Sequence, residues 1–338
     1  MKDLIKSLAG VSAPAGAEQE VIRAIRARVE GVADEVYTDT LGNLYAIKKP
    51  AAGASSSVKT VLVAAHADEP GVTVVDIDDE GFLRIAPLGH LAAADLVGRR
   101  VRFVRSKILG VIYAEGDAKR NAVDFSQLFV DIAVSDQEEA RKLVQIGDAA
   151  AFAYEMQEVT PRVLLGHALD NRVACAVAIN LLASANVPFQ LVVVFSVQQQ
   201  VGSRGIQVAG YRINPDLAMV LDATPTGDTP KAKRLNLTMG SGVAIKALDA
   251  GMAVAPALVQ HLIEVAEKAQ IPYQIDVSPE AHTDAANLQI ARSGIPTCGL
   301  SVPTRYLDTP SQMMHMDDVD AMGKLLQAWM ASERLFDV

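Results

Sequence analysis

The chain carries two kinds of hydrophobic pattern. In the first, continuous apolar runs stop abruptly at polar clusters. Residues 58–65 end at His66-Ala67-Asp68-Glu69, and 191–197 end at Gln198-Gln199-Gln200. Residues 217–221 end at Asp222, and 297–302 lead into Pro303-Thr304-Arg305-Tyr306-Leu307-Asp308. Runs that are apolar at every position read as strands buried on both faces, as in a parallel sheet. Helical spacing separates them. Val21, Ile25 and Val29 share a face within 18–29. Residues 256–269 turn Leu258, Leu262 and Val265 inward, with Pro256 suited to a first turn. A C-terminal helix carries the stripe Met322, Leu325, Leu326 and Trp329. An apolar helix running to Ala183 follows Gly166–Arg172, with Asp170 at or near its start, where free N–H groups favour a carboxylate. Asp39-Thr40-Leu41-Gly42-Asn43 predicts a turn between two short strands.

The second pattern runs from Val72 to about Met156. Six short β-like runs follow at tight spacing, interrupted by one predicted helix over 136–144. Such spacing predicts a small antiparallel barrel or sandwich. The chain therefore reads as an α/β domain formed by 1–70 and 157–338, with a β domain, 71–156, inserted into it. Residues 51–57, AAGASSS, read as a loop.

Composition narrows the function classes. The 338 residues carry 31 Lys and Arg against 40 Asp and Glu, a formal charge of −9, which disfavours a nucleic-acid partner. Cys175 and Cys298 make neither a disulfide framework nor a zinc knuckle and read as core thiols. The N-terminus lacks the apolar core of a signal peptide, and no run is long and apolar enough to span a bilayer. A soluble cytoplasmic protein is the expectation.

The chemistry gathers at the strand ends. His66, Asp68, Asp170, Gln199, Gln200, Asp222 and Asp308 all fall at strand exits or a helix start, and in a parallel sheet such ends converge on one edge. Imidazole with several carboxylates on one rim suits a hydrolytic metal site, where cations activate water and polarise a carbonyl. Taken singly, Asp170 reads as a helix cap, His66 as a semi-buried histidine and Asp222 as a turn residue; their shared placement carries the site reading. A glycoside hydrolase built on paired carboxylates fits poorly. Among the other histidines, His261 reads as surface or packing, His90 lies in the inserted domain, and His167, His282 and His315 lie near the polar clusters. Nothing in the sequence supports His315 as a ligand in place of Asp308.

These segments, in this order, resemble the tetrahedral (glutamyl/deblocking) cocatalytic metallo-aminopeptidases over nearly the whole length. The resemblance rests on Asp39–Asn43, His66-Ala67-Asp68-Glu69, Ala168–Arg172, Val197–Gly205, Leu221-Asp222 with Gly227-Asp228-Thr229-Pro230, Thr283-Asp284, and Pro303–Tyr306 with Thr309-Pro310. It implies a zinc-peptidase-like α/β/α sandwich with an inserted small β-barrel domain. It implies homo-oligomers, such as a tetrahedral dodecamer, that remove N-terminal residues from peptides. His66, Asp170 and Asp222 match the first metal site, with Asp170 as its bridge, and Asp68 matches the carboxylate that orients the histidine.

Three positions depart from the family pattern. The family has a general-base glutamate where this chain has Gln199, a ligand glutamate at Gln200, and a ligand histidine at Asp308. A neutral amide cannot accept the proton of water, and a missing general base costs roughly 10²- to 10⁴-fold in rate. The second metal site would become Asp170, Gln200 and Asp308, all oxygen donors, favouring magnesium, manganese or calcium over zinc. Loss of that second ion is expected rather than its replacement. The resemblance thus implies one divalent ion (zinc, cobalt or manganese) and peptidase activity that is lost or strongly reduced, with Asp68 or Asp308 as a substitute base. The alternative is a non-catalytic peptide- or metal-binding subunit that co-assembles with an active relative.

Overall fold

A computed structural model describes the chain except for residues 52–57, 117–122, 233–234 and 338. Most of the predicted loop at 51–57 thus lies outside the described residues. The chain opens with α1 (Lys2–Ala9), α2 (Gln19–Val29), β1 (Glu35–Thr38), β2 (Leu44–Lys48) and β3 (Thr60–His66). The middle segment gives β4 (Gly71–Ile77), β5 (Leu83–Leu88), α3 (Ala93–Leu96), β6 (Arg100–Phe103), β7 (Leu109–Ala114), β8 (Leu128–Asp131), α4 (Gln137–Leu143) and β9 (Ala149–Phe152). Then come β10 (Gln157–Thr160), β11 (Val163–Gly166), α5 (Leu169–Ser184), β12 (Gln190–Ser196), α6 (Arg204–Ile213) and β13 (Leu217–Pro225). The last are β14 (Val243–Leu248), α7 (Pro256–Lys268), β15 (Tyr273–Val277), α8 (Asp284–Gln289), β16 (Thr297–Arg305), β17 (Gln312–His315) and α9 (Met316–Met330).

The large sheet runs β1-β2-β12-β3-β13-β16-β17-β11-β10, with β14 and β15 branching from β16. Its centre, β12-β3-β13-β16, is parallel. These strands are buried along nearly their whole length, which is why the sequence shows no alternation there. Helix α5 packs on β3 and β13 beside α1, α2 and α9, while α6 and α8 pack together against β12, β13 and β16. The result is an α/β/α sandwich.

The parallel registers set the site. Ser196 lies beside His66, and Asp222 lies beside Ser301. Strand β13 is longer than its apolar run suggests. It pairs with β3 only as far as Val220, but continues with β16 to Pro225. Asp222 is therefore inside a strand rather than at its exit, because β13 goes on pairing with β16 after its pairing with β3 stops at Val220. The strand predicted from Val58 begins at Thr60, leaving Val58 about half exposed at 47%.

Strands β4-β5-β8-β7-β6-β9 close into a barrel. Closure removes the sheet edges. The barrel has its own core, including Val74, Leu83, Val101, Phe103, Ile112 and Val130. On β7, buried Gly110, Ile112 and Ala114 alternate with exposed Leu109, Val111 and Tyr113. Only Ala67–Pro70 separate the end of β3 from the barrel, so the barrel stands at the rim where the parallel strands end.

Candidate metal centre

His66 is the last residue of β3, and its ring is buried. Its Nδ1 lies 3.2 Å from the Asp68 backbone oxygen and 3.3 Å from Asp68 Oδ1. Its Nε2 faces Asp170 Oδ1 at 3.2 Å and Asp222 Oδ1 at 3.6 Å. One ligand atom from each of His66, Asp170 and Asp222 falls within 4.8 Å of the others. Burial disfavours the His66 imidazolium, but Asp170, Asp222 and Asp68 outweigh it and hold its pKa well above the usual value. Burial, with Asp170 nearby, raises the Asp222 pKa. Oxygen Oδ2 of Asp222 is buried with no hydrogen-bond partner. A divalent cation would use that lone carboxylate oxygen and relieve the crowding of negative charge. One imidazole and two carboxylates suit zinc, cobalt or manganese. The three residues fit such an ion.

Neighbours fix these three side chains. Asp170 opens α5 with non-helical dihedrals. Its N–H donates to Gln312 Oε1 at 2.9 Å, while its carboxylate turns to His66. Asp170 therefore does not act as the helix cap that its position suggests. Asn171 Nδ2 donates to the Leu221 carbonyl at 2.8 Å, tying α5 to the residue before Asp222. The Arg172 guanidinium, fully buried, donates to the carbonyls of Ala67, Leu8 and Val11 and meets Glu69 Oε1 at 3.2 Å. It clamps the loop that follows His66. Ser196 Oγ donates to Asp284 Oδ2 at 2.5 Å, and burial lifts the Asp284 pKa to about 6.

The opposite wall is organised otherwise. Asp68 is completely buried, and its two oxygens accept the backbone N–H groups of Gln199 at 3.0 Å and Gln200 at 2.9 Å. Asn43, at the end of the predicted turn, accepts from Val197 N at 3.0 Å and donates to the Gly205 carbonyl at 2.9 Å. Gly205 is needed there, since a Cβ would stand 2.3 Å from Asn43 Oδ1. The Gln199 side chain donates through Nε2 to the His282 carbonyl at 3.2 Å. Gln200 is buried because its side chain packs on Gly89 of the barrel. Gly89 has φ +104°, and a Cβ there would lie 2.7 Å from Gln200 Oε1.

Asp308 follows β16 in a left-handed turn, φ 61°. It lies outside the His66–Asp170–Asp222 cluster, the one such group among the described residues. Burial, together with Asp170 and Asp222, pushes its pKa up to about 6, against the opposing pull of His90. Both walls line one cleft of ≈ 1070 Å³, which also takes in His90 and His282. The remaining histidines are placed elsewhere. His315 accepts from Asp317 N at 3.2 Å at the start of α9, His261 is buried on α7, and His167 lies 3.3 Å from Glu69.

A buried imidazole–carboxylate cluster at the carboxyl edge of a mixed sheet, with a barrel at its rim, defines a metallopeptidase-type scaffold. The M42 glutamyl aminopeptidase family model matches residues 42–325, and the chain belongs to that family. It is 36% identical over 327 residues to a putative aminopeptidase of Acetivibrio thermocellus, covering 96% of this chain and 97% of that one. Its fold is similar to the TET aminopeptidase from Thaumarchaeota archaeon SCGC AB-539-E09, with TM-score 0.93, 27% identity, and coverage of 99% and 98% of the two chains. It is also similar to the Pyrococcus horikoshii TET1 peptidase, which can assemble into a tetrahedron or a large octahedral shell. There the TM-score is 0.87 at 26% identity, over 97% of this chain and 98% of that one. Among the described residues, no helix is long and apolar enough to cross a membrane.

Proposed function

We propose that this chain is an aminopeptidase-fold metalloprotein that acts on peptide N-termini with strongly reduced turnover. His66, Asp170 and Asp222 hold one divalent cation, zinc, cobalt or manganese. Asp68 orients His66 and anchors the glutamine turn. When bound, the cation lowers the pKa of water and polarises a peptide carbonyl.

The observation that carries the reduced activity is the state of Gln199. Its amide cannot accept a proton, and its Nε2 is committed to the His282 carbonyl. Asp68 offers no replacement, because both of its oxygens hold backbone N–H groups away from solvent. Asp308 is the carboxylate through which residual turnover would run. Gln200 and Asp308 hold no second ion in this reading, since Gln200 packs on Gly89 and Asp308 stands apart from the buried cluster. We take 71–156 as the inserted domain. The exposed Leu109, Val111 and Tyr113 of β7 and the assemblies of TET1 support a homo-oligomer joined through such apolar surface.

The test compares the wild type with the repair Gln199→Glu, Gln200→Glu, Asp308→His. Both are assayed on a panel of aminoacyl substrates and short peptides with zinc, cobalt or manganese. The repair is expected to exceed the wild type by roughly 10²- to 10⁴-fold, the range for restoring a general base. Equal and rapid turnover by the wild type would overturn the reading.

A further inference from the structure

His90 and His282 come from different parts of the fold. His90 follows β5 of the barrel, and His282 lies on the loop between β15 and α8. Their rings meet across the cleft, nearly parallel at 8°, with centroids 5.7 Å apart. Both are exposed, so the contact excludes little water and contributes little as packing. Among the described residues, neither imidazole makes a hydrogen bond through its ring nitrogens. Two imidazoles bound to one tetrahedral ion at about 2.1 Å have centroids about 5 Å apart. Asp308 lines the same cleft.

We propose that His90 and His282 form an outer site for a late transition-metal ion such as zinc, with the remaining positions on the ion open to water. The ion would bridge the barrel and the α/β sandwich at the cleft mouth. Rotation of the two exposed rings turns one nitrogen of each toward it.

The two glutamines gain a purpose from this site. Gln199 donates to the His282 carbonyl, and Gln200 packs on Gly89, the residue before His90. Each therefore braces one histidine-bearing loop. A glutamate at 199 could not donate to that carbonyl and would repel it. The side chains at the two positions where the family has glutamates are thus the ones that brace the histidine-bearing loops. The inference stands on the histidine pair itself and does not depend on the level of peptidase activity.

Zinc titration by calorimetry, with Cu²⁺ electron paramagnetic resonance as a count of imidazole nitrogens, tests it. The wild type is expected to bind one more zinc per chain than His90→Ala or His282→Ala. The two-imidazole copper signal should vanish in either variant and persist in His66→Ala. Gln199→Glu should weaken the outer site by about tenfold. Because the histidines are exposed, circular dichroism should show both variants folded. Unchanged stoichiometry and copper spectra in both histidine variants, or uptake of a single zinc by the wild type, would overturn the proposal.

Discussion

Each wall of the cleft includes the polar end of a buried strand, β3 on one side and β12 on the other, yet the side chains of the two walls are tied to different things. On one wall His66, Asp170 and Asp222 are buried and turn toward each other. Their backbones are held by Arg172, Gln312 and Asn171, so the functional groups stay free to converge. On the other wall Gln199 and Gln200 spend their side chains on loops, bracing His282 and Gly89. The first wall gathers the ligand atoms of a candidate metal site; the second holds neighbouring chain in place. A strand exit supplies position only, and the chemistry depends on whether another residue carries the structural load.

The largest effect is expected at Arg172, which anchors the loop leading from one wall to the other. Arg172→Ala leaves Glu69 buried without its guanidinium and frees the carbonyls of Ala67, Leu8 and Val11. Removing one partner of a buried pair costs about 3–5 kcal/mol. Denaturant unfolding should show a loss of that size. A loss under about 1 kcal/mol would mean that the loop is held by other contacts.

The next effect is specific to the buried wall and depends on pH. The Asp284 carboxyl is lifted to about 6, so the folded state binds its proton more tightly than the unfolded chain does. Between the unfolded value near 3.9 and about 6, the folded state carries more protons, and stability falls as pH rises. In metal-free protein this amounts to about 3 kcal/mol. Asp284→Asn should flatten that decline when melting is followed from pH 4 to pH 7. An unchanged pH profile would assign the decline to other carboxylates.

Much of this arrangement is legible in the sequence. The four apolar runs became the parallel centre of the sheet because strands buried on both faces need no alternation. The six short runs became the six barrel strands. Placement at strand ends or a helix start grouped His66, Asp170 and Asp222 with Asp68, Gln199, Gln200 and Asp308, and the resemblance to the family singled out the first three. The extent of β13 was not legible, since it depends on pairing with β16 beyond the end of β3. Arg172, Asn43 and Gln312 were visible only as polar residues near motifs. Their roles depend on carbonyls and amides brought from distant parts of the chain, and no local pattern encodes such partners. The His90–His282 contact was hidden for the same reason: it joins two loops 192 positions apart (282 − 90) that meet only when the barrel docks at the rim.

The most direct measurement is the zinc affinity of the buried site across variants of the two walls, read by competition with a chromophoric chelator in a His90→Ala, His282→Ala background. The account predicts that His66→Ala, Asp170→Asn and Asp222→Asn each abolish tight binding, while Gln200→Ala and Asp308→Ala change it by less than about threefold. A loss in Gln200→Ala or Asp308→Ala as large as that in His66→Ala would place the ion on the opposite wall and contradict the account.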